Sequence, residues 1–302
     1  MQWVPRIGCI SAVMAGSLLA SWFAGASADE LQRPDPGKRV KVFIFAGQSN
    51  MEGRADGERL SPGDRARIER AQRQVQLAYN YEPVEPLDVV APSDRIKETY
   101  KIDRMFGPEL FFGVALSEAW PEEKFLFIKR TEGGTSLHGC WNPDWDEKKA
   151  AVMGEEKEPR LYGEMASYVK DVLSGYARDE YEICAFLWVQ GEADDGTEES
   201  EAAYGANLRR LVEQVRKDTG KAELPFLFFD VGKGKVEEGM KSVADTVPGV
   251  FMMPQSPDPD SPDFYTKIPN GHYDHEGLKK LGERFATLYL NTVEVRAANS
   301  GK

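Results

Sequence analysis

Histidine and cysteine are both scarce in this chain of 302 residues, which contains three of each. The spacings of Cys140, Cys184 and the histidines match no structural zinc pattern. Cys184 lies in an apolar run without basic neighbours, where a free cysteine behaves as a small hydrophobic residue. We therefore expect free thiols, no metal, no cofactor and no catalytic cysteine.

Basic residues are outnumbered as well. The chain has 38 lysines and arginines against 50 aspartates and glutamates, which gives a net charge of −12. A surface this acidic repels nucleic-acid phosphates and anionic lipid headgroups. Nucleic acids and membrane surfaces are therefore poor partners, and a neutral or weakly charged substrate is easier to accept.

The N-terminal 28 residues have the pattern of a secretory signal peptide. Arg6 supplies the positive start, residues 7–25 are uncharged and largely apolar, and Ala26-Ser27-Ala28 fits an A-x-A cleavage site. Cleavage after Ala28 predicts a secreted or periplasmic protein. An uncleaved membrane anchor is the alternative, because the apolar run is nearly long enough to span a bilayer. Residues 29–302 then form a single domain.

Apolar segments of strand length alternate with helical segments along the remainder. Continuous apolar runs indicate strands buried on both faces, as in a parallel sheet, and they occupy residues 40–46, 125–129, 183–189, 225–231 and 250–253. Apolar residues at helical spacing predict helices over residues 108–119, 204–217 and 278–290, with a further helix over 62–79. This alternation predicts a doubly wound α/β sandwich that binds its ligand beyond the carboxyl ends of the strands.

A serine stands at the end of the first predicted strand, in the tetrad Gly47-Gln48-Ser49-Asn50. A strand-to-turn junction exposes its hydroxyl, and the small Gly47 allows a substrate carbonyl to approach. Such a nucleophile needs a base from elsewhere in the chain, and only His138, His272 and His275 are available. Alternatively, Ser49 simply caps a helix, and this segment alone leaves both interpretations open.

Several sequence blocks together resemble the sialate O-acetylesterase and carbohydrate esterase family 6 branch of the SGNH hydrolases, which includes acetylxylan esterases. The resemblance covers roughly residues 40–293, and its blocks occur in the order FAGQSNMEG (45–53), GPE (107–109), GGTSL (133–137), WVQGEAD (188–194), HYD (272–274) and LGER (281–284). The resemblance implies a flavodoxin-like three-layer α/β/α sandwich with a mostly parallel five-stranded sheet. It also implies metal-free hydrolysis of acetyl esters on sugars.

The resemblance assigns catalytic roles that agree with what ester hydrolysis requires. The reaction needs a nucleophile, a base, a group that orients the base, and donors to the oxyanion. Ser49 matches the nucleophile. His272 matches the base, whereas His275 would be an early helical residue. His138 follows the glycine block, where it would line the pocket or be exposed.

The orienting acid departs from the commonest SGNH pattern. That pattern has an aspartate three residues before the histidine, where this chain has Pro269. The resemblance to family 6 assigns the role to Glu192 of the Gln-Gly-Glu block. Three aspartates remain as alternatives, namely Asp194, Asp263 and Asp274.

The remaining predicted site residues surround these. The backbone N–H groups of Ser49 and Gly134 would donate to the oxyanion, although the Gly-Gly pair could also form only a tight turn. The resemblance assigns the third donor to the side chain of Gln190. Candidate substrate-binding residues are Gln48, Asn50, Thr135 and Trp141. The Trp141 indole could stack on a sugar face. For Gln48 and Asn50 the alternative is organisation of the turn, and for Trp141 it is packing of its loop onto the domain.

These assignments predict an exported serine esterase that removes O-acetyl groups from carbohydrate through an acyl-enzyme intermediate. Its substrate would be an acetylated polysaccharide or an acetylated sialic acid. The alternative is a catalytically silent carbohydrate-binding protein on the same fold, an option that the proline at position 269 keeps open.

Overall fold

The computed structural model describes residues 38–300, with side chains up to residue 293. The predicted signal peptide and its cleavage site lie outside these residues. Within the described range, no helix combines the length and the apolar character needed to cross a membrane. Cys140 and Cys184 are both free thiols.

Nine strands and nine α-helices follow one another within residues 38–300. The strands are β1 Val40–Gly47, β2 Ala55–Asp56, β3 Val75–Tyr79, β4 Glu85–Pro86, β5 Met105–Phe106, β6 Phe125–Thr131, β7 Tyr181–Val189, β8 Phe226–Phe229 and β9 Val250–Met253. The helices are α1 Ser49–Glu52, α2 Pro62–Ala71, α3 Asp94–Tyr100, α4 Pro108–Ala119, α5 Glu147–Met153, α6 Leu161–Leu173, α7 Glu198–Thr219, α8 Gly234–Thr246 and α9 His275–Ser300.

The main sheet has seven strands in the order β4-β3-β6-β1-β7-β8-β9, and all pairs are parallel except β3 with β4. The five predicted strands are its contiguous part, from β6 to β9, so the mostly parallel α/β architecture is confirmed. Strands β2 and β5 form a separate two-stranded ribbon. The central position of β1 places the chain that follows it in the middle of the carboxyl edge.

Both faces of β1 are covered by helices, which explains its unbroken apolar sequence. Phe43 and Phe45 point toward α4, and their rings lie 5.1 and 5.4 Å from that of Phe112. Ile44 points to the other face, where it lines a small cavity together with Met165 of α6 and Val215 of α7. The alternation of side chains along a strand thus builds a core on each side of the sheet.

The predicted helix over residues 62–79 is wrong in its second half. Helix α2 ends at Ala71, and residues 75–79 form β3 instead. All five residues of β3 are buried, and the strand pairs in parallel with β6. Burial beside an existing strand decides the conformation here, because tertiary contacts override weak helix propensity. This strand and β4 raise the sheet from the predicted five strands to seven.

The turn after β1 requires glycine at its first position. Gly47 has φ +142°, and a Cβ there would lie 2.2 Å from the carbonyl oxygen of Val189. The close approach lets the N–H of Gln48 bond the same carbonyl at 3.0 Å. Gln48 occupies the N-cap position of α1, and Ser49 is its first residue. The alternative that Ser49 caps this helix is therefore wrong.

Candidate active site

Ser49 and His272 meet at the carboxyl edge of the sheet. Ser49 Oγ lies 3.0 Å from His272 Nε2, although 223 residues separate them in the chain. The serine is placed by the end of the central strand, and the histidine is placed by the loop that precedes α9. His275 is the first residue of α9, and its imidazole lies 3.5 Å from Glu276. The structure thus joins the predicted nucleophile to the histidine chosen from sequence.

The other ring nitrogen of His272 faces an amide and a phenol. Nδ1 lies 3.0 Å from Asn270 Oδ1 and 3.2 Å from the Tyr100 hydroxyl. An amide oxygen can only accept a hydrogen bond, so the neutral imidazole must carry its proton on Nδ1. Nε2 is then left bare to accept the hydroxyl proton of Ser49. The observed contacts select the tautomer that a general base requires.

The surroundings of His272 also favour its neutral form. Burial lowers the pKa of this histidine, and the positive charge of Arg54 lowers it further. Arg54 is itself buried and forms a 2.6 Å ion pair with Glu52 of α1. His272 therefore loses its proton at a lower pH than an ordinary histidine.

Glu192 forms no hydrogen bond with His272, so no contact supports its predicted role as the orienting acid. Its Oε1 accepts a 2.7 Å hydrogen bond from Asn50 Nδ2, while Oε2 is buried without a partner among the described residues. Burial raises the pKa of this carboxyl. Asn50 Oδ1 in turn accepts the backbone N–H of Tyr273 at 3.2 Å. Glu192 thus holds Asn50, which holds the chain directly after His272.

The three alternative aspartates are also engaged elsewhere. Asp263 pairs with Arg284 at 2.5 Å. Asp274 accepts the N–H of Gly277 at 2.9 Å and so caps the start of α9. Asp194 is buried and accepts the backbone N–H groups of residues 137 and 138 at 2.7 and 2.9 Å. Among the side chains of residues 38–293 no carboxylate contacts His272 Nδ1, because an amide and a phenol occupy that position.

Two of the three predicted oxyanion donors are available. The backbone N–H groups of Ser49 and Gly134 donate no hydrogen bond within the described part of the chain. Gly134 is exposed beside Ser49 and lines the same clefts. The Gln190 amide nitrogen instead donates to Asp194 at 2.6 Å and to the Thr135 carbonyl at 3.1 Å. We therefore place Gln190 in the support of the glycine loop rather than in the oxyanion hole.

Trp141 and Thr135 belong to the core of that loop, in place of the predicted sugar contact. Trp141 is fully buried, packs edge-on against Trp188, and donates from Nε1 to Thr135 Oγ1 at 2.9 Å. The Thr135 hydroxyl also donates to the Glu132 carbonyl. His138 is buried too, with Nδ1 3.3 Å from Asn207, and does not line the pocket. Of the predicted substrate-binding residues, Gln48 and Asn50 line the cleft, and both also organise the turn.

Two clefts meet at the serine and the histidine. One has a volume of about 680 Å³ and extends past Glu192 and Lys267, and the other measures about 250 Å³ and extends past Tyr100 and Arg54. Ser49, Gly134 and His272 line both. Among the described side chains, those of residues 38–293, there is no group of three or more His, Cys, Asp or Glu residues that could hold a metal ion.

A family model described as carbohydrate esterase, sialic acid-specific acetylesterase, matches residues 39–291. The chain belongs to this family. The matched residues include both the strand that precedes Ser49 and the loop that carries His272.

Related proteins and structures agree with this assignment. A probable carbohydrate esterase of Arabidopsis thaliana is 24% identical over 285 residues, which cover 88% of this chain and 96% of the plant protein. Its crystal structure matches with a TM-score of 0.59 at 20% identity, and it covers 84% of this chain and 99% of its own. The structure of NanS gives a TM-score of 0.58 at 15% identity over 87% of this chain and 99% of its own. A carbohydrate acetylesterase of Xanthomonas citri gives 0.52 at 17% identity over 82% and 55%.

Sequence reasoning missed three residues of this family member's site. Asn270 lies two residues before His272, but a search restricted to carboxylates passes over it. Tyr100 reaches His272 from α3, which belongs to the long charged segment outside the predicted framework. Glu155 is buried just after α5, and its carboxylate accepts hydrogen bonds from the backbone N–H groups of Ser136 and Cys140 at 2.8 and 2.9 Å. The one sequence signal for these segments is their length, because long loops in a compact domain usually have a function.

Proposed function

We propose that this protein hydrolyses O-acetyl esters on carbohydrates with Ser49 as the nucleophile, and that it acts after export from the cell. The carbohydrate esterase family assignment supports the substrate class. The single observation that carries the mechanism is the 3.0 Å contact between Ser49 Oγ and His272 Nε2. The N-terminal segment with its A-x-A site supports export.

The proposed reaction begins with proton transfer from Ser49 to His272. As the serine oxygen attacks the acetyl carbonyl, Nε2 takes its proton, and the imidazolium is held by the Nδ1–H bond to Asn270. The carbonyl oxygen becomes an oxyanion, which accepts hydrogen bonds from the backbone N–H groups of Ser49 and Gly134. His272 then gives this proton to the ester oxygen of the sugar as the bond between that oxygen and the acetyl carbon breaks. The sugar leaves with a free hydroxyl, and Ser49 remains acetylated. Water activated by the same histidine releases acetate and restores Ser49.

Hydrolysis of p-nitrophenyl acetate, together with acetate release from acetylated glycans, tests the proposal. We expect Ser49→Ala and His272→Ala to lower kcat by roughly 10⁴-fold or more, because the nucleophile and its base act together and each is ineffective without the other. His275→Ala is the matched control, since its imidazole contacts Glu276 and should leave turnover largely intact. Mass spectrometry of protein quenched during turnover should find one acetyl group on Ser49.

Two outcomes would contradict the mechanism. Turnover that survives in Ser49→Ala would place the nucleophile elsewhere. A folded wild-type protein that binds acetylated glycans but releases no acetate would favour the catalytically silent binding protein. This second outcome is a specific alternative, because an amide and a phenol rather than a carboxylate contact His272 Nδ1 among the described residues.

A further inference from the structure

The small cavity lined by Ile44 lies between α6 and α7, apart from the catalytic clefts. It has a volume of about 330 Å³, and none of the residues that line it lines either cleft at Ser49. Pockets for small molecules begin at roughly this size. Ile44 is three residues before the end of β1, so the floor of the cavity is about 10 Å from the carboxyl edge of the sheet. A ligand in this cavity would occupy a site separate from the proposed catalytic one.

The floor and walls of the cavity are largely aliphatic. They include Met165 and Leu173 of α6, Ile183 and Phe186 of β7, and Val215 of α7, all of which are buried. Protein interiors are normally close-packed, so apolar side chains that leave a space of this size between two helices can receive an apolar group from outside. The flexible side chain of Met165 can adapt to the shape of such a group.

Two cationic side chains stand at the open rim of this cavity. Lys170, near the end of α6, and Arg178, just before β7, both line the cavity and are exposed to solvent. Neither side chain forms an ion pair or a hydrogen bond within the described part of the protein. The Arg178 guanidinium lies over the Tyr181 ring at 5.1 Å, and that ring also lines the cavity. Both cations are therefore free to pair with a ligand.

The single carboxylate that lines the cavity, that of Asp218, already has partners. Its Oδ2 accepts a 2.6 Å hydrogen bond from the Tyr162 hydroxyl, and its Oδ1 accepts a 2.9 Å hydrogen bond from Gln214 Nε2. Two cations and one carboxylate give the lining a positive formal charge, whereas the whole chain has a net charge of −12. An anionic group is therefore attracted to this rim more than to the surface as a whole.

We propose that this cavity binds a single-chain amphiphile with a carboxylate head, such as a medium-chain fatty acid. The alkyl chain lies on the aliphatic floor, and the carboxylate pairs with Lys170 and Arg178 at the rim. The apolar floor distinguishes this ligand from a small inorganic anion, and the two cations distinguish it from an uncharged lipid. The inference does not depend on the proposed esterase function, because the cavity shares no lining residue with the catalytic clefts.

Isothermal titration calorimetry with hexanoate, octanoate and decanoate, each below its micelle-forming concentration, tests the apolar floor. We expect a single site whose Kd falls about 3- to 4-fold for each added methylene, the gain expected from burial of one such group. Ala166→Leu adds bulk at a half-buried residue that lines the cavity. This variant should lose most of the binding and keep the wild-type turnover of p-nitrophenyl acetate.

Substitutions at the rim test the recognition of the head group. Lys170→Ala and Arg178→Ala should each weaken octanoate binding by about 2- to 5-fold at low salt, the range for an exposed ion pair. Binding of uncharged 1-octanol should stay unchanged in both variants. Lys217→Ala is the matched control, because this lysine of α7 is also exposed but does not line the cavity.

An absence of octanoate and decanoate binding to the wild type would overturn the proposal, as would a Kd that is independent of chain length. Octanoate binding that is unchanged in Ala166→Leu would place the ligand at another site. Competition between octanoate and p-nitrophenyl acetate would likewise place it in the catalytic clefts. Equal losses in Lys217→Ala and in the two rim variants would mean that the head group senses the general charge of the surface rather than this rim.

Discussion

At the scale of single residues, His272 Nδ1 contacts an amide, whereas the histidine of a Ser-His-Asp triad contacts a carboxylate. A carboxylate stabilises the imidazolium that forms during attack and raises the pKa of its histidine. Asn270 Oδ1 contacts Nδ1 at 3.0 Å but adds no negative charge, and both burial and Arg54 lower the pKa of His272. We therefore expect His272 to be unprotonated over a wide pH range. We also expect its imidazolium to be less stabilised than an imidazolium beside a carboxylate.

Replacing Asn270 with aspartate tests this interpretation. The added carboxylate should raise the pKa of His272, so the acid limb of the profile of kcat/KM against pH should move to higher pH by roughly one unit or more. Asn270→Ala is the control, since it removes the Nδ1 acceptor without adding charge and should lower kcat with a smaller displacement of the limb. An acid limb unmoved in Asn270→Asp would mean that this side chain does not face the catalytic imidazole.

At the scale of elements, the site depends on how α1 is joined to two other segments. Asn50 of α1 donates a hydrogen bond to Glu192, which follows β7. It also accepts a hydrogen bond from the backbone N–H of Tyr273, the residue after His272. A shift of any of these segments would alter the distance between the serine and the histidine. Small misplacements of this kind are costly in enzymes.

A double-mutant cycle distinguishes such support from a direct catalytic role. We expect Glu192→Ala and Asn50→Ala each to lower kcat by roughly 10-fold, and the double variant to be no worse than either, because both break the same chain of contacts. The measurement is kcat for p-nitrophenyl acetate with circular dichroism as a check on folding. A loss near 10⁴-fold in Glu192→Ala, with a minor effect of Asn50→Ala, would restore the glutamate as the orienting acid.

The elements differ in how well the sequence predicts them. The apolar runs at residues 40–46 and 183–189 are continuous, have strand length and alternate with helical segments, and these features assign β1 and β7 correctly. Strand β3 was missed because its neighbour β6, rather than its own sequence, decides its conformation. Likewise, the order of motifs predicts that Ser49 approaches His272. It does not predict the partners of Gln190 or Trp141, because those depend on how a loop folds back onto the domain.

At the scale of the whole molecule, a buried ion pair beneath the site links a strand of the sheet to two helices, α4 and α1. Lys129 of β6 and Glu109 of α4 are almost fully buried and lie 2.5 Å apart. The Lys129 ammonium also donates to the Glu52 carbonyl at 3.0 Å, which connects the pair to the end of α1. Burial lowers the pKa of this lysine, and its charged form depends on the glutamate.

Removal of one partner should therefore destabilise the entire fold. We expect Lys129→Met to lower the free energy of unfolding by about 3–5 kcal/mol, because Glu109 is left buried without a cation. Denaturant titration measures this change. Lys41→Met is the matched control, as that lysine pairs with Glu123 at 3.7 Å near the surface and should cost about 1 kcal/mol or less. Equal losses in both variants would contradict the role of the buried pair.

The 223-residue separation of Ser49 and His272 has a consequence for the time at which the protein becomes active. A chain still under synthesis contains the serine early but lacks the imidazole until almost all of it has been made. Contacts of such long sequence separation also close slowly during folding. Ester hydrolysis would thus begin only when the C-terminal segment docks onto the sheet, and the first acetate released would mark the completion of folding.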